Sequence, residues 1–187
     1  MVQPDEDVVG LLRDLGYERR DRPFQLSSGE WSQDYIDAKR ALSEGDNLRR
    51  VAQSVLRVVS EAGVEFDAVG GLTMGADPTA HAVALVSGKK WFSVRKQPKG
   101  HGRQQLIEGA ELRPGMRVLL VDDVVTTGKS ILEALEAALA TGAEVVLAVA
   151  LVDRGKAASE KLASMGIKYV PLATYRDFEI VPVTGRA

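Results

Sequence analysis

The sequence contains no cysteine and only two histidines, His81 and His101. Without cysteine the chain can form neither a disulfide framework nor a thiolate metal site, and it has no thiol nucleophile. Two histidines also argue against a metal site with several histidine ligands. Any metal ion would therefore be held by oxygen ligands, which is typical of magnesium.

The sequence also lacks a long apolar run and a cationic leader. Its longest apolar run, residues 145–152, is far shorter than the roughly 20 residues that cross a bilayer. Residues 1–10 are acidic and contain no cationic segment followed by an apolar one, so we expect no signal peptide. These features predict a cytoplasmic protein with no membrane partner.

Acidic side chains are missing from one stretch of the chain. The formal net charge of −2 gives no general attraction to nucleic acid, and no nucleic-acid partner is expected. Residues 78–107 contain no aspartate or glutamate, but they include six cations: Lys89, Lys90, Arg95, Lys96, Lys99 and Arg103. This stretch favours a site for a small polyanion, although charge alone is equally compatible with a solvated basic face.

Alternating helix-like and strand-like segments indicate the fold class. Apolar residues at helical spacing predict helices at residues 6–15, 47–62, 76–86, 129–141 and 156–165. Short apolar runs predict strands at residues 34–38, 66–71, 91–94, 117–121, 144–152 and 168–171. The 187 residues are thus expected to form one α/β domain with a doubly wound, mostly parallel sheet flanked by helices. Ligands of such sheets bind beyond the carboxyl ends of the strands. One edge should therefore carry the loops 71–75, 95–104, 122–129 and 152–155.

Residues 118–130, Val-Leu-Leu-Val-Asp-Asp-Val-Val-Thr-Thr-Gly-Lys-Ser, combine a strand with a candidate anion site. Asp122 and Asp123 are expected in a turn after the strand, before hydroxyl and glycine residues at the start of a helix. Unpaired N–H groups and the helix dipole make such a start suitable for a phosphate. A P-loop is excluded because it would need glycine at position 123. A response-regulator strand would not be followed by Thr-Thr-Gly, and two helix-capping acids are the purely structural alternative.

This segment resembles the phosphoribosyl pyrophosphate motif of type I phosphoribosyltransferases, in which an apolar strand precedes two acids and a phosphate loop. The resemblance implies that Asp122 and Asp123 bind the ribose hydroxyls and belong to the catalytic set. It implies that the loop binds the 5′-phosphate through Val124, Val125, Thr126, Thr127, Gly128, Lys129 and Ser130. It also implies that residues 1–40 contribute a small hood over the base site.

Residues 92–102, Phe-Ser-Val-Arg-Lys-Gln-Pro-Lys-Gly-His-Gly, resemble the mobile loop of orotate phosphoribosyltransferases. Arg95, Lys96, Lys99 and His101 would then contact the donor. Preorganised cations there would stabilise the charge that develops on the leaving pyrophosphate, and Lys99 and His101 are the catalytic candidates for this step. The resemblance also implies a homodimer in which residues 95–104 act at the neighbouring subunit's site.

Two further segments resemble the orotate enzymes of that family. Residues 24–37 are similar to the N-terminal element Phe-x-Leu-x-Ser-Gly-x-x-Ser, which implies that Tyr35 and Ile36 lie against the orotate ring. Arg154 follows the strand 144–152. The resemblance implies that its guanidinium binds the orotate carboxylate together with Thr126, for which a planar fork of donors is well suited.

The chain departs from the family pattern at two places. Some members have lysine where this chain has Ser27, and another branch has Tyr-Lys where Thr73 and Met74 stand. We therefore expect the glycine-rich turn 70–75 to contact pyrophosphate through its backbone. Asp77 is expected to cap the following helix rather than to bind metal.

The resemblance implies transfer of the 5-phosphoribosyl group from phosphoribosyl pyrophosphate to orotate, which gives orotidine 5′-monophosphate and pyrophosphate. Magnesium is the expected cofactor, held mainly by substrate and water, with no dedicated protein metal site. Two alternatives stay open at this point: transfer to another base, and a regulator of the same fold that binds nucleotides without catalysis. Nothing marks residues 181–187 as functional.

Lys99→Ala is expected to lower turnover far more than affinity for the donor, because a cation beside a leaving group acts mainly in the transition state. Steady-state kinetics separates the two effects, since loss of a transition-state contact lowers kcat with little change in KM. A raised KM with an unchanged kcat would contradict the leaving-group role.

Overall fold

The computed structural model describes residues 5–26, 28–97 and 106–184. Its helices are α1 (Glu6–Leu15), α2 (Ala38–Ala41), α3 (Gly45–Ala62), α4 (Asp77–Ser87), α5 (Lys129–Leu139) and α6 (Ala157–Ser164). Its strands are β1 (Tyr17–Gln25), β2 (Trp31–Ile36), β3 (Ala68–Leu72), β4 (Lys90–Val94), β5 (Ile107–Gly109), β6 (Arg117–Val125), β7 (Glu144–Asp153) and β8 (Tyr169–Thr174). A short 3₁₀ helix, Tyr175–Phe178, follows β8.

Six of these strands form one sheet in the order β5-β4-β3-β6-β7-β8. The neighbours from β4 to β8 run parallel, and β5 pairs antiparallel with β4. From residue 147 to its end β7 is buried on both faces, which explains why its sequence shows no apolar–polar alternation. The predicted mostly parallel sheet is confirmed, with β8 at one edge.

Alternate residues of β6 face opposite helix layers. Leu119 and Val121 belong to an apolar cluster with α1, α3 and α4, whereas Val118 and Leu120 belong to a second cluster with α5 and α6. All four side chains are at most 1% exposed. The sheet is thus the middle of three layers, which is the architecture of a doubly wound fold.

A separate hairpin lies outside the main sheet. Its strands β1 and β2 pair antiparallel, and with α2 they form the segment called the hood below, residues 17–41. The predicted strand 34–38 is wrong in its bounds, because β2 begins at Trp31 and the Asp37 side chain caps α2. No sequence pattern indicates β1, since its side chains are exposed or half-buried throughout.

The helix boundaries agree closely with the sequence pattern. α1 has the predicted bounds, and the Asp5 side chain caps it by accepting from the N–H of Val8 at 3.2 Å. α3 begins at Gly45 rather than at residue 47. Gly63 caps its C-terminus, with a φ of 67° in the left-handed conformation that glycine adopts readily.

The main correction concerns β6, which continues to Val125 instead of ending at Val121. Asp122 pairs with Ala150 of β7 and Val125 pairs with Asp153, so the ladder carries β6 past the acidic pair. The predicted turn at Asp122 and Asp123 is therefore wrong. Both acids therefore belong to the strand, and an Oδ1 of each lies close to Gly75 of the turn after β3.

Within the described ranges, no helix combines the length and the apolar character that a membrane span requires. The cytoplasmic location stays a prediction.

Leu135→Ala is expected to lower the free energy of unfolding by about 2–5 kcal/mol, because this α5 side chain is fully buried and its loss leaves a cavity. Urea titration measures the change. Leu139→Ala is the control in the same helix. Its side chain is 42% exposed, so the expected loss is below about 1 kcal/mol. Equal losses at both positions would contradict the packing described above.

Candidate active site

Two adjacent carboxylates lie at the carboxyl end of β6. Asp122 is 4% exposed and lines a cavity beside α5, whereas Asp123 bonds to the hood. The N–H of Asp123 donates to Asp122 Oδ1 at 3.0 Å, and the N–H of Val124 donates to Asp123 Oδ1 at 2.7 Å. Burial, and after it the charge of Asp123, raises the pKa of Asp122 to about 7. Asp122 therefore changes its charge near neutral pH.

Lys39 of α2 forms an ion pair with this acidic pair. Its Nζ donates to Asp123 Oδ2 at 2.8 Å, although the two residues are 84 positions apart. Partial burial disfavours the ammonium group, but the hydrogen bond and the charge of Asp123 outweigh it and raise the pKa of Lys39. No sequence motif indicates Lys39 as a site residue, because the contact exists only once the hood has folded against β6.

A cavity of 390 Å³ opens at the end of β6. It is lined by Asp122, by residues 124–130 and by three side chains from elsewhere: Leu72, Lys96 and Glu133. The structure thus brings the predicted phosphate loop, one predicted acid and one cation of the basic stretch to a single site. The first turn of α5 suits an anion there, because N–H groups at a helix start lack helical partners.

Gly128 gives the phosphate loop its shape. It caps α5 with φ 82°, and a Cβ at this position would lie 2.9 Å from the Cα of Ala158. Both the positive φ and the close approach to α6 exclude a larger residue. The glycine that sequence analysis assigned to the anion loop is therefore required by the backbone.

The glycine-rich turn after β3 packs directly on the acidic pair. A Cβ on Gly75 would lie 2.7 Å from Asp123 Oδ1 and 3.1 Å from Asp122 Oδ1. Any side chain there would displace the carboxylates. The peptide bond between Thr73 and Met74, in the same turn, is cis.

Asp77 ties this turn to the sheet. The predicted capping role of Asp77 is wrong, because Ala76 occupies the cap position of α4. Asp77 instead accepts hydrogen bonds from Thr73 Oγ1 at 2.6 Å and from Ser93 Oγ at 2.7 Å. It therefore links the turn to β4, the strand that leads into the basic loop.

Arg154 follows β7 and is only 2% exposed. Its Nη1 donates to the backbone oxygen of Asp34 at 2.8 Å, and its Nη2 donates to Ser32 Oγ at 3.2 Å. Its Nε has no hydrogen-bond partner among the residues that the structure describes. Burial lowers the pKa of Arg154, and the charge of Asp34 opposes this shift. Arg154 is thus a buried cation between β7 and the hood, not a surface arginine.

The two residues predicted to contact the base lie on β2 but differ in environment. Ile36 is 6% exposed and belongs to the apolar core. Tyr35 is half-buried, with its ring edge-on to Phe24 at a centroid distance of 5.5 Å and the Arg20 guanidinium 4.3 Å from its centroid. A contact between either residue and orotate stays a prediction.

Comparison with known proteins assigns the family. The Phosphoribosyl transferase domain family matches residues 40–175. The orotate phosphoribosyltransferase of Rhodopirellula baltica is 40% identical, with the match covering 94% of this chain and 94% of that protein. The enzyme of the same name from Aquifex aeolicus is 42% identical, covering 87% and 90%. The chain belongs to the orotate phosphoribosyltransferase family.

A solved structure supports this family assignment. Orotate phosphoribosyltransferase of Mycobacterium tuberculosis in complex with 5-phospho-alpha-D-ribosyl 1-diphosphate superposes with a TM-score of 0.76 at 33% identity. The match covers 95% of this chain and 100% of that one. The resemblance inferred from the motifs is confirmed, and so is the fold.

The mobile loop of the orotate phosphoribosyltransferase family lies only partly in the described residues. Lys99 and His101 fall outside them, as does Ser27, and their roles stay predictions. Arg95 donates to the backbone oxygen of Gln97 at 3.3 Å and forms an ion pair of 3.5 Å with Glu108. Lys96 lines the cavity at the phosphate loop.

Asp122→Asn is expected to stabilise the folded protein more at pH 8 than at pH 5. The pKa of Asp122 is raised from an ordinary value of 3.8 to about 7, so its contribution to stability is lost as pH rises through that range. Asparagine stays neutral and keeps the oxygen that accepts from Asp123. Since one pKa unit corresponds to about 1.4 kcal/mol, we expect a gain of about 1–4 kcal/mol at pH 8.

Urea unfolding of both proteins at the two pH values measures this gain. Asp14→Asn, at an exposed position of α1, is the matched control and is expected to change stability by less than about 0.5 kcal/mol at either pH. A loss of stability in Asp122→Asn at pH 8 would show that the Asp122 carboxylate is not disfavoured by burial.

Proposed function

We propose that this chain transfers the 5-phosphoribosyl group from phosphoribosyl pyrophosphate to orotate. The observation that carries the proposal is the acidic pair, Asp122 and Asp123, beside a glycine-capped anion loop, in a chain whose relatives are named for this reaction. The bond between ribose C1 and the pyrophosphate oxygen breaks, and the electron pair leaves with pyrophosphate. A ring nitrogen of orotate forms the new bond to C1, which gives orotidine 5′-monophosphate.

The protein's part in this reaction is to position the donor and to neutralise its charge. Asp122 and Asp123 would accept hydrogen bonds from the ribose hydroxyls, and residues 124–130 would hold the 5′-phosphate. Lys96 reaches the same cavity, and we propose that Arg95, Lys99 and His101 complete the cationic surface around the leaving pyrophosphate. Fixed cations at that place lower the barrier because negative charge grows there as the bond breaks.

Magnesium is the proposed cofactor. The chemistry of the residues fits a hard cation, because the carboxylates of Asp122 and Asp123 are oxygen ligands. The described residues contain no group of three or more His, Cys, Asp or Glu side chains arranged to hold a metal ion. Substrate oxygens and water would therefore complete the shell. When bound, the ion would neutralise charge on the pyrophosphate.

Arg154 is the proposed anchor for the orotate carboxylate, with Thr126 beside it. A buried guanidinium whose Nε has no partner among the described residues can bind a carboxylate, since its N–H groups donate to the carboxylate oxygens. Binding would require Arg154 to exchange a hood contact, most simply the 3.2 Å bond to Ser32, for the ligand. Tyr35 and Ile36 on the same strand would then lie near the base.

We also propose a homodimer in which residues 95–104 act at the partner's site. Large apolar side chains are exposed around α4 and β4, before this loop: Met74 is 72% exposed, Leu85 is 85% and Trp91 is 41%. Exposed apolar surface of this kind is typical of protein–protein contacts. Sedimentation equilibrium tests the proposal, and a monomer at assay concentration would exclude action across subunits.

One assay tests the reaction itself: pyrophosphate release from phosphoribosyl pyrophosphate and magnesium, with orotate, uracil, hypoxanthine and adenine supplied separately. Release with orotate alone is the expected outcome, and a chelator of magnesium is expected to abolish it. Release with a purine and not with orotate would assign another base. Binding of the donor without release for any base would favour a regulator of the same fold.

A further inference from the structure

We propose that Lys39 is a positioning residue for the ribose-binding acid Asp123, and that through it the hood takes part in binding the donor. The proposal rests on the proposed function and deepens it. The observation behind it is the 2.8 Å bond between Lys39 Nζ and Asp123 Oδ2, which joins α2 of the hood to the end of β6.

The Asp123 carboxylate is held at both oxygens. Oδ1 accepts from the N–H of Val124 at 2.7 Å, and Oδ2 accepts from Lys39. Gly75 packs against Oδ1 so closely that a Cβ would lie 2.7 Å away. With one oxygen held by β6 itself and the other by the hood, the plane of the carboxylate depends on Lys39. Removing the ammonium would leave the carboxylate held at Oδ1 alone.

Lys39 also offsets negative charge at the site. Asp122 and Asp123 are adjacent carboxylates in a site that is to receive a highly anionic donor, and their charges repel it. Among the described residues, Lys39 is the cation that forms an ion pair with this pair of acids. The Lys39 ammonium is half-exposed, but at 2.8 Å it neutralises charge on Asp123, whose side chain is only 17% exposed. Lys39 therefore lowers the cost of bringing the donor to the acids.

Lys39 brings a cation to the acidic pair in a chain that departs from the family pattern. Some family members have a lysine where this chain has Ser27, and another branch has a lysine where it has Met74. Lys39 places its ammonium at Asp123 from a different element, α2. The half-exposed side chain reaches Asp123 from the helix that follows β2.

The hood connects Lys39 to the residues that are proposed to bind orotate. α2 begins directly after β2, where the Asp37 side chain caps it by accepting from the N–H of Arg40 at 3.1 Å. β2 carries Tyr35 and is bonded to Arg154 through the backbone of Asp34. The segment β2–α2 thus bonds to Asp123 through Lys39 and to Arg154 through the backbone of Asp34. We expect a change at Lys39 to alter mainly the affinity for the donor, and we expect the hood to stay folded without the lysine.

Lys39→Met tests the role, since methionine keeps the length of the side chain and removes its charge. We expect the KM for phosphoribosyl pyrophosphate to rise about tenfold or more, with kcat changed by less than about threefold, because the lost contact acts on donor binding. Lys39→Arg should recover at least half of the lost affinity. Arg40→Met, the adjacent cation on the same helix, is the matched control and should leave both constants unchanged.

Measuring donor binding both with Asp123 and with Asp123→Asn separates two effects of Lys39: positioning of the Asp123 carboxylate and general attraction of the anionic donor. Calorimetry with phosphoribosyl pyrophosphate and magnesium should show the Lys39→Met loss in the otherwise unchanged protein. The loss should vanish when Asp123 is already replaced by asparagine, because interacting residues are not additive. Equal losses in both backgrounds would overturn the proposal. So would tighter donor binding by Lys39→Met, which would mean that the lysine competes with the donor for Asp123.

The outcomes also separate this proposal from the proposed function. If the unchanged protein binds the donor but does not turn over orotate, the proposed function is contradicted, while calorimetry still decides the role of Lys39.

Thermal denaturation of each variant checks folding, and we expect little change because a half-exposed ion pair contributes little to stability. Lys39→Gln replaces Lys39→Met if the latter does not fold. An unchanged donor affinity in either variant overturns the proposal.

Discussion

The pairing of β6 with β7 beyond residue 121 is the constraint on which the site depends. Because Asp122 and Val125 are still in the ladder, opposite Ala150 and Asp153, the strand stays extended through both acids. At this strand end Asp122 lines the cavity at α5, Asp123 bonds to Lys39 of the hood, and Gly75 lies against an oxygen of each carboxylate.

Burying one acid of this pair has an energetic cost that the surroundings partly offset. Desolvation disfavours the charge on Asp122 and raises its pKa to about 7. At the partly exposed Asp123, the N–H of Val124 and the Lys39 ammonium each bond to one carboxylate oxygen. Gly75 and Gly128 permit the close approach of the neighbouring loops that line the site.

Local patterns predicted the elements whose sequence carries their own signal. α1 has its predicted bounds because a capping aspartate, an apolar stripe and a terminal glycine all lie within twelve residues, 5–16. The central strands β3, β6 and β7 were predicted because strands buried on both faces need continuous apolar runs, whereas the three-residue edge strand β5 was missed. β1 carries no such signal, since its sequence Tyr-Glu-Arg-Arg-Asp-Arg-Pro-Phe-Gln is stabilised by pairing with β2. Its existence follows from the partner strand and not from its own residues.

The site likewise has features that follow from local sequence and features that depend on contacts between distant elements. The sequence by itself determined the donor motif, because two acids, two threonines and a glycine in a row are a local arrangement that needs only a strand and a helix start. It also determined the family, through motifs spread from residue 24 to residue 154.

Only the tertiary structure decided that Asp77 ties the glycine-rich turn after β3 to β4, that Arg154 is buried against the hood, and that Lys39 pairs with Asp123. Those contacts join residues from 16 to 120 positions apart. Their partners are chosen by the packing of whole elements, for which no local pattern exists.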